Sequence, residues 1–332
     1  MNRKIQDKWK KAIYRNKKSG GYLLKKTITR KIYVLIRAAL LFGLCFLILQ
    51  PLFNKISMSF MLEKDLYDPT IIVVPRNFTT NNYKLVNSLI DYWKSLYNSL
   101  WISVLISILQ VASATLVGYG FARFNFPFKK FWFACVLLVI IVPPQTIMSS
   151  LYLNFRFFDV FGIANLFTGK TINLLKSPLP YILMSITTMG LKNGLYIFLI
   201  RQYFRGVPKE LEEAAYVDGC GNFSTFIKIM LPDAKPILTS CFLFAFVWQW
   251  TDSFYSNMFL GNISLLSKKL TAISQLLSDH LSTSGIASRP SVAYGQMMIS
   301  TGMIMAIIPL LLIYIVAQKA FVESLSQTGI KM

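Results

Sequence analysis

Charge is what this chain of 332 residues has little of: 15% of its residues are charged and 54% are hydrophobic, with a mean hydropathy of +0.50. Soluble domains carry about a quarter charged residues, so the balance excludes a soluble globular protein and points to an integral membrane one. Acids are scarcest, 14 Asp and Glu against 35 Lys and Arg, and His280 is the single histidine. With no cluster of His, Cys or acids at either membrane face, a membrane enzyme has no set of groups for acid–base or nucleophilic work. The four cysteines, Cys45, Cys135, Cys220 and Cys241, are scattered without a C-x-x-C pair, which indicates neither a disulfide framework nor a zinc site. No G-x-x-x-x-G-K-[ST] run occurs, so the chain has no phosphate-cradling loop of that kind. Alternating ten-residue segments, the mark of a transmembrane β-barrel, are also missing. The apolar runs are continuous, and the fold class is therefore all-α membrane protein.

The basic surplus sits unevenly. Residues 1–31 hold twelve Lys or Arg against the single acid Asp7, a topology signal beside a first span with attraction to anionic membrane lipid as a second role. No groove-reading motif accompanies it, so nucleic acid is not the partner. The tail 1–31 reads as cytoplasmic, and 32–317 as a membrane domain of six spans: about Ile32 to Phe53, Ser95 to Phe121, Phe131 to Leu151, Leu179 to Ile200, Ile237 to Leu260 and Val292 to Ala317. Residues 318–332 form a second cytoplasmic tail. The basic hairpin from Ala122 to Lys130 and the exit residues Arg201 and Arg205 agree with both termini being inside.

Several spans carry features that point to a pathway. Small residues at Ala112, Ser113, Ala114, Gly118 and Gly120 mark the second span as a packed interior helix. Pro143 and Pro144 break the third, which in a membrane is tolerated against protein or a cavity. Lys192 falls near the middle of the fourth span and Asp252 in the fifth, and ionisable groups there face cavities or each other. They pair across adjacent helices, or Lys192 meets an acidic sugar. Trp248, Trp250, Phe254 and Tyr255 are candidates for stacking on sugar rings, with an interfacial aromatic belt as the alternative.

Between the fourth and fifth spans lies a polar island, 202–236. It contains Glu213-Ala214-Ala215, then Gly219 after three residues, and Ile229-x-Leu231-Pro232 after nine more. Pro208 suits a first helical turn, three glutamates follow it at the positive helix end, Gly219 permits a left-handed turn, and Asn222 caps a second helix. That helix presents Phe223, Phe226, Ile227 and Met230 as one apolar face and stops at Leu231-Pro232. The pattern EAA-x3-G-x9-I-x-L-P resembles the cytoplasmic coupling loop of ABC-importer permease subunits. Phe121-Ala-Arg123, Val142-Pro143, Gln202-Tyr-Phe204, Val207-Pro208 and Trp250-Thr-Asp252-Ser-Phe254 extend the resemblance over most of residues 33–332, toward the maltose-transporter-like carbohydrate branch. Thr251 departs from that branch, which commonly has Asn there, as does the ending Thr328-Gly-Ile-Lys-Met332.

The resemblance implies a non-enzymatic permease subunit in a bacterial cytoplasmic membrane, importing oligosaccharides or polysaccharide fragments. It implies a second permease, two ATP-binding cassette subunits and an external or periplasmic solute-binding protein as partners. ATP and Mg would be bound by the ATPase subunits, leaving this chain without a cofactor or metal of its own. Glu213 would contact the ATPase cleft and Gly219 supply the turn. An amino acid or polyamine is the alternative cargo. A secondary transporter, the alternative machine, calls for inverted repeats, and the halves show no evident internal symmetry.

Overall fold

The computed structural model describes residues 20, 22–71, 74–159, 171–285 and 290–329. Outside them lie the basic tail through residue 19, Gly162 and Gly169 of the connection 152–178, and the last three residues of the expected C-terminal tail. The described helices are, in order, α1 (Tyr22–Phe60), α2 (Asn81–Leu89), α3 (Tyr92–Arg123), α4 (Lys129–Ile141), α5 (Met148–Arg156), α6 (Leu179–Ile186) and α7 (Asn193–Gly206). After them come α8 (Glu210–Val217), α9 (Asn222–Asp233), α10 (Lys235–Thr251), α11 (Phe254–Phe259), α12 (Leu266–Thr271), α13 (Ile273–Thr283) and α14 (Val292–Gly329). Among the described residues no β-strand forms, only the isolated bridges Met61–Phe78 and Phe158–Ile172. Among the described residues three helices are long and apolar enough to cross a membrane, and the number rises to five if each of two bent pairs is one span.

The hub is α3, which packs against α6, α7 and α10. Gly118 makes the approach to α7 possible: a Cβ there would meet Ile200 Cγ2 at 2.9 Å and the Arg201 nitrogen at 3.2 Å. Of the expected small-residue stripe, Ser113, Ala114 and Gly118 face inward, while Ala112 is exposed. In contrast, α1 leaves Leu35, Phe42 and Ile48 exposed, as expected of a helix whose apolar surface faces acyl chains rather than protein.

Five spans differ from the runs expected. The first and last runs lie inside longer helices, α1 and α14, the latter continuing through residues expected in the C-terminal tail. The third bends by 100° between α4 and the helical segment from Pro144 to Arg156. There Val142 is forced extended (ψ 121°) because it precedes a proline. The fourth, expected to be continuous from Leu179 to Ile200, is broken: Thr188 and Lys192 both take left-handed backbone (φ 61° and 62°) before α7 begins. Gly190, within the break, lies so close to α3 that a Cβ would stand 2.6 Å from Gln110 Nε2. The fifth ends at Thr251, since the Asp252 carboxylate accepts the N–H groups of Phe254, Tyr255 and Ser256 (3.2, 3.3 and 3.0 Å) and starts α11 afresh.

Connections expected to be loops are partly helical. Val86, Ile273, Leu277 and Met298 form one core, so α2 and α13 are clamped to α14. Asp65 fastens the segment after α1 by accepting the Asn77 backbone N–H and Nδ2–H, each at 2.7 Å.

Candidate functional site

Two places gather the residues singled out from sequence. The first is the knob formed by α8 and α9. Glu210, Glu212 and Glu213 occupy the first turn of α8, where the exposed helical N–H groups favour negative charge. The turn is closed by paired bonds, Cys220 N–H to the Ala215 carbonyl (2.9 Å) and Gly219 N–H to the Tyr216 carbonyl (3.1 Å). This helix ending needs a left-handed residue, and Gly219 supplies it at φ +80° with open space where a Cβ would be. The requirement is therefore for conformation, not room.

The second arm departs from expectation in three ways. Gly221, not Asn222, stands at its cap, and no side chain caps it. The helix does not stop at Leu231-Pro232 but runs to Asp233, with a π turn over Phe226–Met230 ahead of the proline. Such a widened turn relieves the clash a proline makes with the preceding turn. A 74° bend then leads into α10. The expected single apolar face is also divided. Phe226 and Met230 are buried, the Phe226 ring centroid lying 4.7 Å from that of Tyr119, whereas Phe223 is 72% and Ile227 43% exposed. Glu213, Ala214, Gly219 and Pro232 are exposed, Ile229 and Leu231 half-buried, and Ala215 buried.

Glu212 holds this knob to the bundle. Its Oε2 lies 3.2 Å from Arg123 Nε, its Oε1 accepts the Tyr119 hydroxyl at 2.8 Å, and Arg123 Nη2–H reaches the Val207 carbonyl at 2.8 Å. The Nε contact is Coulombic, since Nε has no hydrogen-bond partner of good geometry. Sequence reasoning placed Glu212 only among the helix-start acids. The signal available was its i−1 position to Glu213, which turns it to the inner side of α8.

The second place is a cavity of about 280 Å³ at the broken fourth and fifth spans, lined by Pro144, Gln145, Leu191, Lys192, Trp248, Thr251, Asp252, Ser253, Phe254 and Tyr255. It brings together Lys192, Asp252, Trp248, Phe254, Tyr255 and Pro144. Pro143 is not among its lining residues and is exposed at the bend. Trp250 is turned away: it is buried against Phe246, with ring centroids 5.6 Å apart, and lines another cavity with Leu266 and Met303. At an i+2 spacing from Trp248, a helix of 3.6 residues per turn puts it on the far side.

The expected pair of Lys192 with Asp252 does not form, as no ion pair joins them among the described residues. Asp252 is engaged elsewhere: besides the α11 N–H groups it accepts the Tyr181 hydroxyl and, at 3.1 Å, that of Ser256. Lys192 Nζ instead lies over the Trp248 ring, 5.0 Å from its centroid.

Residues 114–327 match the family described as binding-protein-dependent transport system inner membrane component. The chain belongs to this family. Among its relatives, the arabinooligosaccharides transport system permease protein AraQ of Halalkalibacterium halodurans is 26% identical over 87% of this chain and 93% of its own length. The alpha-glucoside transport system permease protein AglG of Rhizobium meliloti is 32% identical over 56% of this chain and 46% of its own. A solved bacterial ABC transporter involved in the import of the acidic polysaccharide alginate shares the fold, with a TM-score of 0.67 at 20% identity over 88% of this chain and 97% of that one.

The two sites of this chain separate by chemistry. The knob is an exposed, mixed acidic and apolar surface, and the cavity combines aromatic rings with one cation. A larger groove of about 500 Å³ between α3, α9 and α10 is lined almost wholly by apolar residues such as Val111, Phe226 and Phe242 and contains no charged group. It offers a polar solute little to bind.

Proposed function

We propose that this family member is one of two permease subunits in an ATP-driven, binding-protein-dependent importer of oligosaccharides. The observation that carries the proposal is the family match across most of the membrane domain together with a knob built to be gripped. Leu211, Tyr216, Val217, Phe223 and Ile227 are all exposed around Glu213, an apolar surface of the kind that marks a protein interaction site. Here α8 and α9 dock in a cleft of an ATP-binding cassette subunit, Glu213 meets that cleft, and Gly219 fixes the angle between the arms. The elements fit a six-span arrangement in a bacterial cytoplasmic membrane with both termini inside, the broken fourth segment counted as a span. The second permease completes the pathway, two ATPase subunits bind ATP and Mg, and an external solute-binding protein delivers cargo. Sugars are favoured as cargo by the names of the relatives and by the aromatic cavity.

The test is uptake of labelled oligosaccharides by right-side-out vesicles containing the complete transporter. Uptake should require lumenal ATP and fall to background in Glu213→Lys and Gly219→Val, with both variants still inserted. Transport driven by an ion gradient alone, or normal uptake by both variants, overturns the proposal. Uptake of amino acids or polyamines in place of sugars overturns the cargo assignment.

A further inference from the structure

The cavity is electrically lopsided. It holds one cation and one anion, Lys192 and Asp252, yet these do not neutralise each other. The Asp252 carboxylate is already saturated: one oxygen accepts the Phe254 and Tyr255 N–H groups, and the other accepts the Ser256 N–H, its hydroxyl and the hydroxyl of Tyr181. Donors of this number stabilise a carboxylate without any cation. Among the described residues Lys192 Nζ has neither an ion pair nor a hydrogen bond; it rests over the face of Trp248 at 5.0 Å, and its side chain lines the cavity with N–H donors to offer. A lysine within a membrane domain that has no acidic partner is costly unless it serves a ligand or water.

The backbone also commits to this arrangement. Lys192 is a non-glycine residue at φ +62°, and Thr188 four residues earlier is at φ 61°. Left-handed backbone is unfavourable for a residue with a Cβ. In a continuous helix Lys192 would have occupied an ordinary helical position. The break places it at the cavity wall beside an aromatic platform, with Gln145 and Thr251 as further polar lining.

We propose that this cavity is a subsite for an acidic sugar, with a uronate carboxylate on Lys192 Nζ and the sugar ring against Trp248. The inference rests on the importer function above and names its substrate class. A single point-charge ammonium matches the single charge of a carboxylate. A phosphate dianion would leave one of its charges unmatched, since Lys192 is the one cationic residue among the described residues lining the cavity. Indole suits this exchange because its face attracts the ammonium in the arrangement seen here and the polarised C–H face of a sugar once the ammonium swings to the carboxylate.

Equilibrium binding tests this apart from transport. The assembled transporter in nanodiscs is titrated with trigalacturonate and with its carboxyl-reduced, neutral counterpart, and tryptophan fluorescence is followed. Trigalacturonate should quench saturably, with a signal lost in Trp248→Phe. Affinity should fall about tenfold or more in Lys192→Gln, as expected for loss of a charge-assisted bond, and recover in Lys192→Arg. The neutral sugar should bind at least about tenfold more weakly to the wild type and be indifferent to Lys192→Gln. Equal binding of both sugars, binding of neither, or an unchanged affinity in Lys192→Gln overturns the subsite. ATP-driven uptake of neutral oligosaccharides alone would refute the acidic-sugar subsite and leave the importer function standing.

Discussion

Arg123→Met should detach the knob from the membrane bundle without unfolding the bundle. The Arg123 and Glu212 side chains are 7% and 9% exposed, so the screening that makes surface ion pairs nearly worthless does not apply. Removing one partner of a buried pair strands the other charge and costs about 3–5 kcal/mol, which here includes the hydrogen bond from Arg123 to the Val207 carbonyl. Every 1.4 kcal/mol is a factor of ten, so the opening of α8 becomes favoured by more than about a hundredfold. Hydrogen exchange of the amides from Glu210 to Val217 reads this directly, with α3 and α7 amides as the internal control. Arg123→Met/Glu212→Leu should regain part of the protection, falling short by about 2 kcal/mol because the Tyr119 hydroxyl has lost its acceptor and the Val207 carbonyl its donor. A double variant as unprotected as the single one, or unchanged protection in Arg123→Met, would refute the assignment of this ion pair as the anchor.

Three further outcomes follow from the geometry. Gly219→Ala should weaken ATP-driven uptake less than Gly219→Val, since both meet open space and differ only in how poorly they adopt φ +80°; equal effects would indicate a contact instead. Gly194→Ala places a Cβ 2.9 Å from the Val136 carbonyl oxygen, a backbone atom with little freedom to move, and should lower the unfolding temperature of the detergent-purified protein by an amount equivalent to about 1–3 kcal/mol. The hydrogen bonds from Asn77 hold the Asp65 carboxyl below its ordinary value of 3.8. The folded pKa is depressed, so the bonds stabilise the outer segment above about pH 3.8 and lose that contribution as pH falls through the folded pKa. Asp65→Asn should therefore be less thermostable than wild type at pH 7, and the difference should narrow only below about pH 3.8.

The helical class, the α8–α9 turn and part of the cavity lining were legible because each depends on short-range chemistry: apolar run length, Gly219 beside a helix end, ionisable residues inside spans. What stayed hidden depends on distant neighbours. The fourth run reads as a continuous helix until α3 is placed against Gly190, and no local signal says that Gln110 will be there. Lys192 and Asp252 look like partners because opposite charges in adjacent spans usually are. Only the α11 N-terminus and Tyr181 show why Asp252 needs no lysine. Trp248 and Trp250 look alike in sequence, and two residues of helical rotation send one to the cavity and the other to the core. The knob's apolar stripe divides for the same reason, since Tyr119 covers Phe226 and leaves Phe223 bare.

The 74° bend at Ala234 makes α9 and α10 the two limbs of a bell crank. At 1.5 Å per residue, the α9 limb is roughly 18 Å long and the α10 limb roughly 25 Å. The corner is braced where the Tyr203 hydroxyl donates to the Asp233 carbonyl at 2.7 Å. The α10 limb is the longer by about 1.4-fold, so a rigid turn about that corner would move its far end further than the knob. Trp248 and Thr251 ride on that far end and Asp252 adjoins it. The ring beneath Lys192 therefore belongs to the α10 limb, while Lys192 itself sits on the neighbouring broken span: any turn of the crank about its corner would change their separation, and with it the cation's seat on the ring.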